Sequence, residues 1–254
     1  MNQQQKRRIK MRKPFIIFSQ SRSGSTLLRR LLDSHSQIHC EGEVLTITDG
    51  YLKNNFGQKV ARLFSIPFLY RRKWPVLDSV YGATLFIYHG RYIAKNIQWL
   101  QRLGWKIIYL ERNDIVNQAF SNIIAMRTRH FHTEIGEEEP KERHFVPEDK
   151  FIHVIKNRLR WHAREKKILN SIPFKQIYYE RDLGNPQNRE RFLPELFEFL
   201  SVEPEKVDVN LRKTYSLPYS QIIENYDSLM TRLKNDGFTE LYELHTSYEA
   251  KIAR

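Results

Sequence analysis

The stretch from Phe15 to Leu28 constrains this chain more than any other. It reads Phe15, Ile16, Ile17, Phe18, then the loop Ser19-Gln20-Ser21-Arg22-Ser23-Gly24-Ser25-Thr26, then Leu27 and Leu28. A short apolar run, a loop of small residues and a helix start predict a buried strand turning sharply into a helix. A helix N-terminus presents unpaired N–H groups and the positive end of its dipole, which suits a phosphate group. Gly24 lets the backbone approach an oxyanion closely, and the hydroxyls of Ser25 and Thr26 add donors. An ordinary Ser-capped strand–turn–helix is the plainer alternative; small residues crowded with Arg22 favour the anion site. A nucleotide kinase or NTPase loop would read G-x-x-x-x-G-K-[ST]. Here Ser19 stands at the first Gly position, Gly24 at the second and Ser25 at the Lys position, with the cation, Arg22, two residues before the Gly. The later strand Lys106–Leu110 ends in Glu111-Arg112, without the Asp of a second-strand Mg²⁺ site. ATP hydrolysis is therefore disfavoured.

Other β-rich runs fall at Ala83 to Tyr88, Lys106 to Leu110 and Gln176 to Tyr179. They alternate with helical patterns at about 23–32, 114–128, 147–169, 194–200 and 221–233, the last stopped by Asp236-Gly237. The alternation predicts an α/β fold: a P-loop-like, three-layer α/β/α arrangement around a mostly parallel sheet. Residues 14–254 are expected to form a single domain behind a basic, flexible arm over residues 1–13. The polar excursion from Arg129 to Glu148 is long enough to serve as a lid.

Lys and Arg number 42 against 29 Asp and Glu, a net charge of +13 that favours anionic partners. No zinc-finger spacing, RNA-recognition signature or recognition helix accompanies it, so no specific nucleic-acid target is expected. Arg62, Arg71, Arg72 and Lys73 around an apolar run leave peripheral membrane contact open. One cysteine, Cys40, precludes an intrachain disulfide, and no run reaches the roughly 18 apolar residues of a membrane span. A soluble, cytoplasmic protein is the resulting expectation.

Ser21 to Thr26 resembles the 5′-phosphosulfate loop of the sulfotransferases that use 3′-phosphoadenosine 5′-phosphosulfate (PAPS), in the R-S-G-S/T-T form of carbohydrate and tyrosyl-protein members. A second segment, Lys106 to Ser121, is similar to that family's 3′-phosphate element, where a strand ends in Arg and the next helix offers a Ser. Arg112-x-Asp114-x-x-x-Gln118-Ala119-x-Ser121 agrees with the arrangement of bacterial carbohydrate sulfotransferases of the trehalose and Nod-factor type. Tyr81 to His89 is like the family's G-F-K-L strand with Thr84 in place of the Lys, and Tyr179 to Leu183 resembles its Y-E-D-L segment. Leu211 to Thr214 and Ile223 to Tyr226 are similar to the C-terminal region that closes over the nucleotide, which adds Lys213 to the donor-binding set.

The resemblance implies sulfuryl transfer from PAPS to a carbohydrate or glycolipid hydroxyl, without a metal. Arg22, Ser23, Gly24, Ser25, Thr26, Arg112, Ser121 and Lys213 would hold the donor, and Arg22 would also stabilise the leaving phosphate. In carbohydrate and tyrosyl-protein members a Glu after a Gly-containing turn is the base; Gly42-Glu43 matches best, on what reads as a loop after the first helix. Glu41 competes, with His35 and His39 as outsiders. Cys40 has no activating dyad beside it and reads as a buried small residue. Tyr70, Trp74 and Tyr92 could stack on sugar rings or simply pack in a core. Two other readings remain: a metal-dependent P-loop kinase with a degenerate loop, and a non-catalytic basic polyanion binder.

Overall fold

The computed structural model describes residues 13–43, 79–89, 92–131, 133–138, 142–211, 214–215 and 217–252. The arm over residues 1–12, the basic–apolar stretch around Arg71, Tyr70 and Trp74, and Lys213 lie outside the described residues. In chain order the elements begin β1 (Phe15–Ser19), α1 (Ser25–Asp33), β2 (Ile38–Glu43), β3 (Val80–Phe86), α2 (Ile93–Arg102) and β4 (Lys106–Glu111). There follow α3 (Ile115–Thr128), α4 (Glu148–Leu169), β5 (Lys175–Tyr178), a π-helical turn (Tyr179–Leu183) and α5 (Pro186–Leu200). The chain ends with α6 (Tyr219–Ile222), α7 (Tyr226–Asn235) and α8 (Thr239–Ile252). Two compact units result: Met1–Glu111 with Arg164–Val209, and Arg112–Ala163 with Asn210–Arg254.

The first unit is an α/β layer built on a five-stranded sheet of order β2-β3-β1-β4-β5, every pair parallel. Parallel strands are covered on both faces, so the inner ones can be apolar throughout, and all five residues of β1 are buried. Gly82 of β3 sits opposite Phe15, and a Cβ there would lie 2.5 Å from ring carbons Cε1 and Cε2 of Phe15. The glycine is thus a space requirement of the central strand pair. Leu28, Leu31, Ile108, Ile177, Leu196 and Phe197 close the core. Because all strands run the same way, their carboxyl ends meet at one edge. In open α/β sheets that edge is where ligands bind, next to the point where strand order reverses, here beside β1.

The second unit is helical. Phe120 of α3 stacks on Phe151 of α4 with centroids 4.8 Å apart, and Ile155, Ile222, Leu229 and Leu233 join them in one cluster. The excursion after α3 is partly pinned. His144 and Ile223 form an isolated parallel bridge, and the Asn225 side chain bonds both backbone groups of Val146 at 3.0 and 2.8 Å. Residues 142–147 are accordingly tied down rather than lid-like. Among the described residues no helix is long and apolar enough to cross a membrane.

Several elements differ from the sequence expectation for identifiable reasons. The sequence reads as a loop over β2: among the described residues it pairs with β3 alone, and a strand with His39, Glu41 and Glu43 lacks the continuous apolar run that marks a buried one. β3 begins at Val80 and stops at Phe86, so Tyr88 lies beyond the strand. α5 starts at Pro186 rather than near Pro194, because Asn185 caps it by accepting the Gln187 N–H at 2.8 Å and Pro186 occupies the first turn. Pro194 is carried inside that helix.

Candidate active site

The loop between β1 and α1 turns through two left-handed residues, Arg22 (φ 63°) and Gly24 (φ 92°). Such alternation aims successive N–H groups to one side and forms an anion-accepting concavity. The Ser23 hydroxyl donates to the Gln20 carbonyl and closes the turn from within, so its proton serves the loop's shape. The first helical bond of α1 runs from the Leu28 N–H to the Gly24 carbonyl at 3.0 Å, so the amides of Ser25, Thr26 and Leu27 lie ahead of the helical ladder, at the N-terminus of α1. No side chain caps Gly24, and no acid stands in the first turn. The Ser19 hydroxyl, at the mouth of the loop, is fully buried without a hydrogen-bond partner. This donor-rich, acid-free turn can hold an anion of the phosphate or sulfate kind.

Three residues from elsewhere in the chain hold the loop. Tyr179, the first residue of the π turn, packs over Gly24 so closely that a Cβ would lie 2.8 Å from its Cε2 and nearer still to Cδ2. Gly24 is therefore required twice, by its dihedral angle and by the ring above it. The Tyr88 hydroxyl accepts the Ser21 N–H at 3.0 Å. Glu165, 1% exposed, accepts from the Gln20 amide at 3.0 Å and from the Tyr109 hydroxyl at 3.1 Å. Nothing local to the loop betrays Glu165, which is 145 residues from Gln20.

Glu43 ends β2 at the same carboxyl edge of the sheet, on a strand rather than the loop expected. Glu41 pairs with Ala83 but Glu43 with Thr84, so two residues of β2 advance against one of β3. Without this bulge Glu41 and Glu43 would share a face; with it they part. Glu41 accepts the Tyr81 hydroxyl at 2.6 Å, whereas an oxygen of Glu43 stands 3.7 Å from His89 Nε2. The Glu43 side chain is 42% exposed. His35 is buried with its Nε2 on the Glu203 carbonyl at 2.8 Å, and His39 lies 3.4 Å from Asp33. Burial pushes the Cys40 thiol well above its ordinary range, with Arg29 only partly opposing, so it is no nucleophile at neutral pH.

Arg112 and Ser121 belong to the second unit. Arg112 follows β4 directly and donates through Nη2 to the Asn117 side chain. Asp114 caps α3 by accepting the Asn117 N–H at 2.9 Å, and both its oxygens lie 3.0 Å from Nδ1 of the fully buried His245. The sequence motif is thus a folded unit: cap, helix turn and Arg side chain are joined through Asn117. Ser121 lies half-buried two turns along α3. Among the described residues no group of three or more His, Cys, Asp or Glu is arranged to hold a metal.

Residues 14–66 match the profile described as the sulfotransferase family. A crystal structure of a sulfotransferase from Alicyclobacillus acidocaldarius is similar in fold, with a TM-score of 0.53 at 16% identity over 96% of this chain and 99% of that one. A sulfotransferase domain from the curacin biosynthetic pathway aligns with a TM-score of 0.47 at 17% identity, over 76% of this chain and 75% of that domain. A search of curated protein sequences finds no match. The family match thus covers the segment that carries the β1–α1 loop, and the likeness to the Alicyclobacillus acidocaldarius sulfotransferase is one of fold.

The geometry at Gly24 makes a direct prediction. Gly24→Ala should lower stability by about 2–4 kcal/mol, combining left-handed strain with overpacking against Tyr179. Urea unfolding measures it. Tyr179→Ala in the Gly24→Ala background should recover the steric share only; a Gly24→Ala protein as stable as wild type would contradict the account.

Proposed function

We propose that this chain transfers the sulfuryl group of PAPS to a hydroxyl of a carbohydrate or glycolipid acceptor. The observation that carries this reading is the shared edge of the sheet: the donor-rich turn after β1 and the carboxylate of Glu43 at the end of β2 stand at the carboxyl ends of two parallel strands that flank β3. PAPS supplies an activated sulfur whose bond to the 5′-phosphate oxygen breaks as the acceptor oxygen bonds to sulfur. Glu43 takes the acceptor hydroxyl's proton in that step. The loop amides and the hydroxyls of Ser25 and Thr26 bind the 5′ end through hydrogen bonds that need no reorganisation. Arg22 opposes the charge that collects on the departing phosphate; a guanidinium holds its protons at neutral pH, so it acts as a fixed cation. Arg112, Ser121 and Lys213 bind the 3′-phosphate, a role supported by their resemblance to the family's 3′-phosphate and C-terminal segments.

A saccharide-type acceptor is supported by the spacing from Arg112 to Ser121, which agrees with bacterial carbohydrate sulfotransferases. Tyr88 and Tyr92 beyond β3, 38% and 39% exposed, offer ring faces for a sugar. A glycolipid acceptor would bring the enzyme to a membrane surface.

The test is PAPS-dependent release of adenosine 3′,5′-bisphosphate across a panel of saccharides and glycolipids, using the acceptor that turns over. Glu43→Gln should reduce transfer about 10²- to 10⁴-fold while binding of adenosine 3′,5′-bisphosphate persists. Full activity in that variant removes the assignment. Arg112→Ala should weaken binding of adenosine 3′,5′-bisphosphate roughly 10- to 100-fold, the worth of a charge-assisted bond. Binding of adenosine 5′-phosphate should change little, and calorimetry showing equal losses would mean that Arg112 does not read the 3′-phosphate.

A further inference from the structure

His89 lies just past the end of β3, and three contacts lock its ring. Its Nδ1 accepts the Phe86 N–H at 3.1 Å. The ring packs against Phe86 with centroids 4.9 Å apart and edge-on to Tyr88 at 5.7 Å. A ring nitrogen that accepts an amide proton carries none, so the neutral imidazole holds its proton on Nε2. That Nε2 is buried and has no hydrogen-bond partner, although a buried donor is ordinarily satisfied. It faces Glu43, whose Oε2 is 3.7 Å away, beyond hydrogen-bond reach but within ion-pair distance. Catalytic hydrogen bonds are often long before substrate arrives and tighten in the reacting complex.

From this geometry we infer that His89 is a positioning residue for Glu43: its Nε2–H, fixed in tautomer and direction by Phe86 and Tyr88, orients the carboxylate toward the acceptor hydroxyl. The inference rests on the reading of Glu43 as the base. In this role His89 acts through Glu43. Its Nε2–H is directed at Oε2 of the carboxylate. The β2 bulge is part of the device, because it turns Glu43 and not Glu41 toward this ring.

Two measurements on the full chain test it. In long-range ¹H–¹⁵N spectra of the uniformly labelled protein, His89 should show the Nε2-protonated tautomer. Its Nε2 resonance should move in Glu43→Gln and stay in place in Glu41→Gln. A proton on Nδ1, or an Nε2 resonance indifferent to Glu43→Gln, overturns the contact. The second measurement is kinetic and uses the transfer assay above. His89→Asn can still accept the Phe86 N–H but cannot reach Glu43; kcat should fall about 100-fold, as for a misplaced catalytic group. KM for PAPS should stay within about twofold. His89→Gln, which restores a donor of similar reach, should recover part of the rate. Added to Glu43→Gln, His89→Asn should cost nothing further, since the two act as a unit. A further loss as large as in wild type overturns the inference while Glu43 keeps its role. A fully active Glu43→Gln removes the base and the positioning role together, leaving the spectroscopic contact to be judged alone.

Discussion

The turn from β1 into α1 can close only if the residue at position 24 has no side chain. Its left-handed backbone brings the chain round into α1, and Tyr179 fills the space a Cβ would take. The rest of the site follows from that turn. Ser23 closes it from inside, Tyr88 holds Ser21, and Glu165 anchors Gln20 from a distant helix. Left-handed geometry at Arg22 as well stores backbone strain, and strain of this kind collects where a loop is shaped for a ligand rather than for stability. The sheet then determines what surrounds the turn. With every strand parallel, the ends of β2 and β3 deliver Glu43, Tyr88 and His89 to the same edge.

Much of this was legible in the residues. A buried parallel strand is apolar end to end, so Phe15 to Phe18 and Lys106 to Leu110 announced β1 and β4. Ser21 to Thr26 announced the loop, because helix N-terminal anion sites demand small residues in order. β2 was not legible, since a strand whose outward positions are His and Glu looks like a loop. The choice between Glu41 and Glu43 stayed open for a related reason. Alternation puts residues two apart on one face, and only the bulge separates them. The contacts of Tyr179 and Glu165 with the loop were not legible for another cause: both residues lie far from it in sequence, and no spacing rule relates them to Gly24 or Gln20.

The second unit shows the same logic in smaller compass. Arg112 is shaped by Asn117, Asn117 by the cap at Asp114, and Asp114 by the buried His245 of α8. The motif from Arg112 to Ser121 could be read from the sequence as a spacing. Its support from α8 could not, because the contact crosses 131 residues.

The central claim is that the chain recognises an adenylate carrying phosphate at both the 3′ and 5′ positions. Thermal unfolding of the wild-type protein with adenosine 3′,5′-bisphosphate, adenosine 5′-phosphate or ATP with Mg²⁺ tests it most directly, because a ligand stabilises the fold by an amount that rises with the logarithm of its affinity. The account predicts the largest rise in Tm with the bisphosphate and little with the other two at equal concentration. An equal or larger rise with ATP and Mg²⁺, or none with the bisphosphate, would contradict it.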